Sequence, residues 1–164
     1  MTKDPMSMDT LLAHFDTRGF ATRTVRHPPV RTVEEAKRLR GEIPGTHAKN
    51  LFLKDPKGGL WLIVAREDRS IDLKELAKRL EAKRFSFGSA DLLKAVLGVE
   101  PGAVTPFGLA NDKEGKVRLV LDRALTEGKA CFHPLTNTAT TIIGAADFLD
   151  FLREIGHEPI VADL

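Results

Sequence analysis

The stretch Leu51-Phe-Leu-Lys-Asp-Pro-Lys-Gly-Gly-Leu-Trp-Leu-Ile-Val-Ala65 decides the fold class of this chain. Residues 51–54 and 60–65 are short apolar runs, and residues 55–59 between them carry turn chemistry. Pro56 presets its φ, while Gly58 and Gly59 tolerate the positive φ of a tight reversal. The stretch therefore predicts a β-hairpin.

Working outward, the N-terminal side predicts a helix over residues 7–18 with Leu11, Leu12 and Phe15 on one face and Gly19 to end it. A strand over 22–26 stops at His27-Pro28-Pro29, because proline donates nothing to a ladder. Thr32 and Glu35 have capping-box spacing and open a helix through Arg40, closed by Gly41 and the Ile43-Pro44-Gly45 turn. Past the hairpin, Asp72 opens a helix whose buried face is Leu73, Leu76, Ala77 and Leu80, and Ser89 opens another over 89–97. Residues 99–108 hold too many prolines and glycines for a regular element. Strands over 117–121, 130–132 and 138–143, a helix over 145–155 and a short strand around Ile160 complete the chain. Strands joined mostly by hairpins, with helices beside them, predict a mixed α+β fold: a mainly antiparallel sheet surrounded by helices, in one domain over residues 1–164.

Composition limits the function classes. Twenty-five Lys and Arg against 23 Asp and Glu leave a net charge of +2, too even for a protein that holds nucleic acid by bulk charge, so any such contact must be a local patch. No run approaches the ~18 apolar residues of a membrane span, and the charged start Met1-Thr-Lys-Asp lacks a secretory apolar region. The single cysteine, Cys131, excludes an internal disulfide and a cysteine-built zinc site, so the expected compartment is the cytoplasm.

Familiar catalytic motifs are missing. His14, His27, His47, His133 and His157 match no compact metal spacing; no Gly-x-Ser-x-Gly elbow, P-loop or dinucleotide fingerprint occurs. Cys131 and His133 would share a strand face, as a nucleophile pair or as a small buried cysteine beside a polar residue. Three polar clusters stand out. Lys49-Asn50 leads into the first hairpin strand and reads as a strand-mouth pair or a solvated loop. Gly102-Ala-Val-Thr-Pro106, followed by Phe107, suits a rigid binding loop or a plain connection. His133-Pro-Leu-Thr-Asn137-Thr138-Ala-Thr140-Thr141 enters a strand as a polar, hydrogen-bonding segment or a threonine-rich hairpin.

In this order, Lys49-Asn50, residues 102–106 and His133-Pro-Leu-x-Asn137-Thr138 resemble the YbaK/ProX family of trans-editing aminoacyl-tRNA deacylases, most of all its ProXp-ala (PrdX) branch. The likeness runs from His27-Pro28 to Gly156-His157-Glu-Pro159. It implies a barrel-like, mainly antiparallel sheet and a metal-independent, cofactor-free hydrolase that removes alanine from mischarged Ala-tRNA(Pro). By position, the catalytic residues would be Lys49, gripping the backbone and ester region of the tRNA 3′ end, and Asn50 and His133, shaping the site. Gly102, Ala103, Val104, Thr105, Pro106 and Phe107, with Asn137 and Thr138, would hold the aminoacyl group and water. The implied partners are the acceptor end of mischarged proline tRNA and prolyl-tRNA synthetase, with no DNA and no membrane. Rival readings are a deacylase for Cys- or Ser-tRNA(Pro) and a non-catalytic RNA-binding or regulatory module of the same fold.

An aminoacyl ester is already activated, so a positioned water and a stabilised oxyanion suffice without a covalent nucleophile. A proline-sized activation pocket discriminates poorly against alanine, since a missing methylene is worth only about 1–3 kcal/mol; a second, smaller pocket is the remedy. For docking, Lys78, Lys83 and Arg84, with Lys74 and Arg79, form one basic run and Lys37, Arg38 and Arg40 another; each reads as a phosphate surface or as a solvated helix face.

Overall fold

The computed structural model describes residues 5–30 and 32–164. Its elements run α1 (Met8–Arg18), β1 (Arg23–Arg26), α2 (Val33–Glu42), β2 (Thr46–Lys54), β3 (Leu60–Arg66), α3 (Leu73–Arg79), β4 (Ser86–Phe87), α4 (Ala90–Leu97), β5 (Val117–Asp122), β6 (Lys129–Phe132), β7 (Ala139–Gly144), α5 (Ala145–Glu154) and β8 (Ile160–Ala162). Short 3-10 turns occupy Pro101–Ala103, Pro106–Asn111 and Arg123–Thr126.

The hairpin forms as its sequence dictates. Asp55 Oδ1 accepts the N–H groups of Lys57 and Gly59 at 3.0 and 2.8 Å, closing the turn, and Leu53 pairs with Trp61. The antiparallel β2–β3 pair is then the centre of one sheet in the order β1-β7-β6-β2-β3-β5-β8, with β4 added to β2. The pairs β1–β7, β6–β7, β2–β3 and β2–β4 are antiparallel, whereas β2–β6, β3–β5 and β5–β8 are parallel. The sheet is thus mixed where local hairpins predict antiparallel pairing, because the parallel ladders join strands distant in sequence.

Two element boundaries differ from expectation. Gly41 lies inside α2, which ends at Ile43, whose N–H donates to the Leu39 carbonyl. β2 begins five residues before Leu51, so Lys49 and Asn50 sit within the strand, opposite Ala65 and Val64, rather than at its mouth. Pairing with the wholly apolar β3 overrides the polarity of residues 46–50.

Alternation along β2 feeds two cores. Phe52 joins Leu62 and Val64 in the main core with Leu11 and Phe15 of α1, Leu97 of α4 and Phe148 and Phe151 of α5. Leu53 joins Trp61, Ile63 and Leu76 of α3 on the other face. A third, small cluster of Ile43, Cys131 and Ile142 seats Leu39 of α2 beside β6 and β7.

Candidate active site

Between α2 and the β6–β7 end of β2 lies a cavity of about 180 Å³, lined among others by Leu39, Ala48, Asn50, Glu67, Cys131, His133 and Thr140. A neighbouring hollow of about 140 Å³ shares Val30 and Leu39 with it and extends to His27, Pro28 and Glu35. Such a volume is below the ~300–1,000 Å³ of pockets for drug-sized ligands and fits one small group.

Asn50 brings a polar side chain into this space, and its Oδ1 is buried without a hydrogen-bond partner. Buried acceptors are nearly always satisfied, so an orphan in a cavity marks where a donor is to arrive. His133 enters from the end of β6. Its Nδ1 lies 2.9 Å from the Ala139 carbonyl, which can only accept, so Nδ1 carries the proton and Nε2 of the neutral ring is an acceptor. Burial pushes the His133 pKa below its ordinary value against the raising effect of that bond, and His27 and His47 push the same way. His27 backs the wall: Nδ1 faces the Pro28 carbonyl at 2.9 Å, leaving Nε2 to accept from the Thr140 hydroxyl at 2.8 Å. The Arg40–Glu67 ion pair, 2.8 Å, spans the rim from α2 to the segment after β3.

Cys131 touches the same cavity, but burial, then the Glu67 charge, pushes its thiol up to about 11. Its Sγ donates to the Pro44 carbonyl at 3.4 Å. A thiol so placed is a packing group, not a nucleophile.

Of the residues singled out in sequence, the fold brings Asn50 and His133 together and sends Lys49 elsewhere. Consecutive strand residues face opposite ways. The Lys49 ammonium therefore reaches across the other face of β2 to donate to the Arg69 carbonyl, and it forms no ion pair among the described residues. Arg69 is itself held by Asp122, whose Oδ2 accepts Arg69 Nε at 3.1 Å and the Arg66 N–H at 2.9 Å.

The expected binding loop meets the third cluster: a Cβ on Gly102 would lie 3.0 Å from Asn137 Nδ2. Only Gly102 of this loop is exposed, and Val104 is half-buried. Ala103, Thr105 and Pro106 turn inward, and the buried Thr105 hydroxyl accepts the Phe107 N–H at 3.3 Å. Phe107, expected beside the aminoacyl group, lies in the main core. It is 0% exposed, its ring 5.2 Å from Phe15, 5.5 Å from Phe132 and 5.6 Å from Phe151, because an aromatic side chain after a buried proline turn has only the core to enter. Thr138 is exposed, its carbonyl accepting the His27 N–H at 2.9 Å. Lys78, Lys83 and Arg84 are exposed and free of ion pairs among the described residues. Sequence reasoning missed Leu39 and the wall role of His27; Thr140, in the third polar cluster, meets His27 through the β1–β7 register, Val25 opposite Thr140.

No helix of the described residues is long and apolar enough to cross a membrane, and no group of three metal-binding side chains occurs among them.

Comparison with known proteins agrees with this fold. A 148-residue alignment, 44% identical and covering 85% of each chain, relates the protein to cattle (Bos taurus) prolyl-tRNA synthetase associated domain-containing protein 1. The prolyl-tRNA editing protein ProX of Acetoanaerobium sticklandii is 35% identical over 158 residues, 93% of this chain and 96% of that one. The solved structure of a candidate trans-editing enzyme for prolyl tRNA synthetase superposes with a TM-score of 0.69 over 99% of this chain and 98% of that one, at 22% identity, a likeness of fold. Residues 27–151 match the family described as Aminoacyl-tRNA editing domain, and the chain belongs to that family.

Proposed function

We propose that the protein hydrolyses the ester of mischarged proline tRNA, removing alanine from Ala-tRNA(Pro) with water as the nucleophile. The unpartnered Asn50 Oδ1 in a cavity of about 180 Å³ is the observation that carries the reading. The incoming aminoacyl end supplies the donor that Asn50 lacks. His133 Nε2, an acceptor in the neutral ring, orients the attacking water, and the high thiol pKa of Cys131 leaves water as the nucleophile at hand. Lys49, on the opposite face of β2 and without a countercharge among the described residues, holds a phosphate of the acceptor end rather than the ester itself. Gly102, open to solvent beside Asn137, covers the aminoacyl group through its backbone. The substrate partner is thus the acceptor end of proline tRNA, and the names of the relatives favour prolyl-tRNA synthetase as a second partner.

A deacylation panel tests this. The wild-type protein is given Ala-, Ser-, Cys- and Pro-tRNA(Pro), with Asn50→Ala and His133→Ala as controls. Alanine is released fastest and proline slowest, by at least the roughly 10–200-fold that one methylene of misfit provides. Both variants lose most activity while keeping the fold. Equal rates on the alanyl and prolyl esters would refute size selection, and rapid release of cysteine or serine alone would reassign the substrate.

A further inference from the structure

Phe87 is 62% exposed, and no other large apolar side chain among the described residues is as exposed. A lone apolar side chain in water means little; what distinguishes Phe87 is how firmly it is held and what surrounds it. β4 is pinned to β2 with Leu53 opposite Phe87 and Lys54 opposite Ser86, and the Gly88 N–H donates to the Phe52 carbonyl at 2.9 Å. Beneath it, Phe85 packs edge-on against Trp61 at 5.5 Å. The ring is therefore presented on a fixed backbone. Just before β4, Lys83 and Arg84 are exposed, and neither has an ion-pair partner among the described residues; Lys54, opposite Ser86, lies on the other face. Residues opposite each other in an antiparallel pair share a face, so Phe87 projects on the face of Leu53 and Lys49, about 13 Å along the strand from Lys49 at ~3.3 Å per residue.

We propose that Phe87 is a stacking platform for an unpaired nucleotide of the tRNA acceptor end, with Lys83 and Arg84 as its phosphate contacts. A rigid aromatic face among unpaired cations is the combination that single-stranded nucleic acid recognises: the ring takes a base of any identity and the cations follow the backbone. The inference rests on the reading of the protein as one that acts on tRNA.

The test measures binding of an uncharged RNA microhelix with the single-stranded 3′ end of proline tRNA, carrying 2-aminopurine in that end, by anisotropy and by base fluorescence. Phe87→Ala weakens binding by about 5- to 150-fold, the span of losing one stacked base, and Phe87→Tyr and Phe87→Trp stay within about threefold of wild type. A microhelix lacking the single-stranded end binds wild type and Phe87→Ala alike. Binding by Phe87→Ala within twofold of wild type would overturn the proposal, as would full rescue by Phe87→Leu, which marks an apolar protein contact instead. If wild type deacylates Ala-tRNA(Pro) yet Phe87→Ala binds normally, the platform alone falls; if wild type neither binds the RNA nor deacylates, the tRNA reading falls and takes the platform with it.

Discussion

Replacing Phe107 with alanine separates a core role from a role in amino-acid selection. The side chain is fully buried, with Phe15, Phe132, Phe148 and Phe151 around it at centroid distances of 5.2, 5.5, 6.2 and 5.6 Å. Deleting a buried phenylalanine costs about 3–5 kcal/mol in transfer and cavity terms, and edge-to-face contacts add about 0.5–1.5 kcal/mol beyond area, so the upper end of the range applies. In a domain of this size each kcal/mol lowers the Tm by roughly 2–4 °C, giving a fall of about 8–20 °C. Thermal unfolding by circular dichroism, with urea titration at 25 °C, reads this directly. The milder Phe107→Leu, assayed well below its Tm, keeps the wild-type preference for alanine over proline. A Tm within 2 °C of wild type for Phe107→Ala, or altered selectivity in folded Phe107→Leu, would refute the core assignment and return Phe107 to a place beside the aminoacyl group.

Other perturbations follow from the same geometry. Lys49→Ala lowers deacylation by roughly 10–100-fold, the worth of one charge-assisted contact of about 1.5–3 kcal/mol, with a Tm close to wild type; near-normal turnover would remove Lys49 from the reaction. Cys131→Ser keeps its activity, and EDTA leaves the wild type active; loss of activity in Cys131→Ser with an unchanged Tm would revive the thiol nucleophile. Because burial first of all depresses the His133 pKa, the unfolded chain binds this proton near the ordinary 6.5 while the folded protein does not. Stability therefore falls as pH drops below about 6.5 toward the lower folded value, and His133→Asn flattens that slope in urea titrations between pH 7 and 5.

The order of the elements was legible because the local chemistry is unambiguous. Thr32, Asp72 and Ser89 each accept a backbone N–H at a helix start, as the sequence predicts, and Ser7 does the same for α1. Gly19 and Gly98 close helices at φ 72° and 70°, which a side chain would resist. Gly41 misled because a glycine in mid-helix and one at a helix end look alike in sequence, and only the packing of Leu39 and Ile43 against β6 and β7 carries the last turn onward. The parallel ladders β3–β5 and β2–β6 were not legible. They join Leu62 to Leu119 and His47 to Cys131 across long stretches of chain, and no local signal encodes such a partner.

The site was legible as residues but not as an arrangement. Lys49 and Asn50 are adjacent in sequence and invite a joint role, yet placing both in β2 gives one to each face of the sheet. Asn50 falls on the face of Ala48 and looks into the cavity; Lys49 falls on the face of Leu51 and Leu53, where Phe87 also projects. A dipeptide in a strand thus supplies one group for the small cavity and one for the other face of the sheet. A substrate with a small acyl group on a long anionic chain requires that division: the acyl group must be enclosed to be measured, while the chain must stay outside. Exchanging the two would put the cation in the cavity and leave the amide outside it, so moving the lysine to position 50 and the asparagine to position 49 should abolish activity although the composition is unchanged.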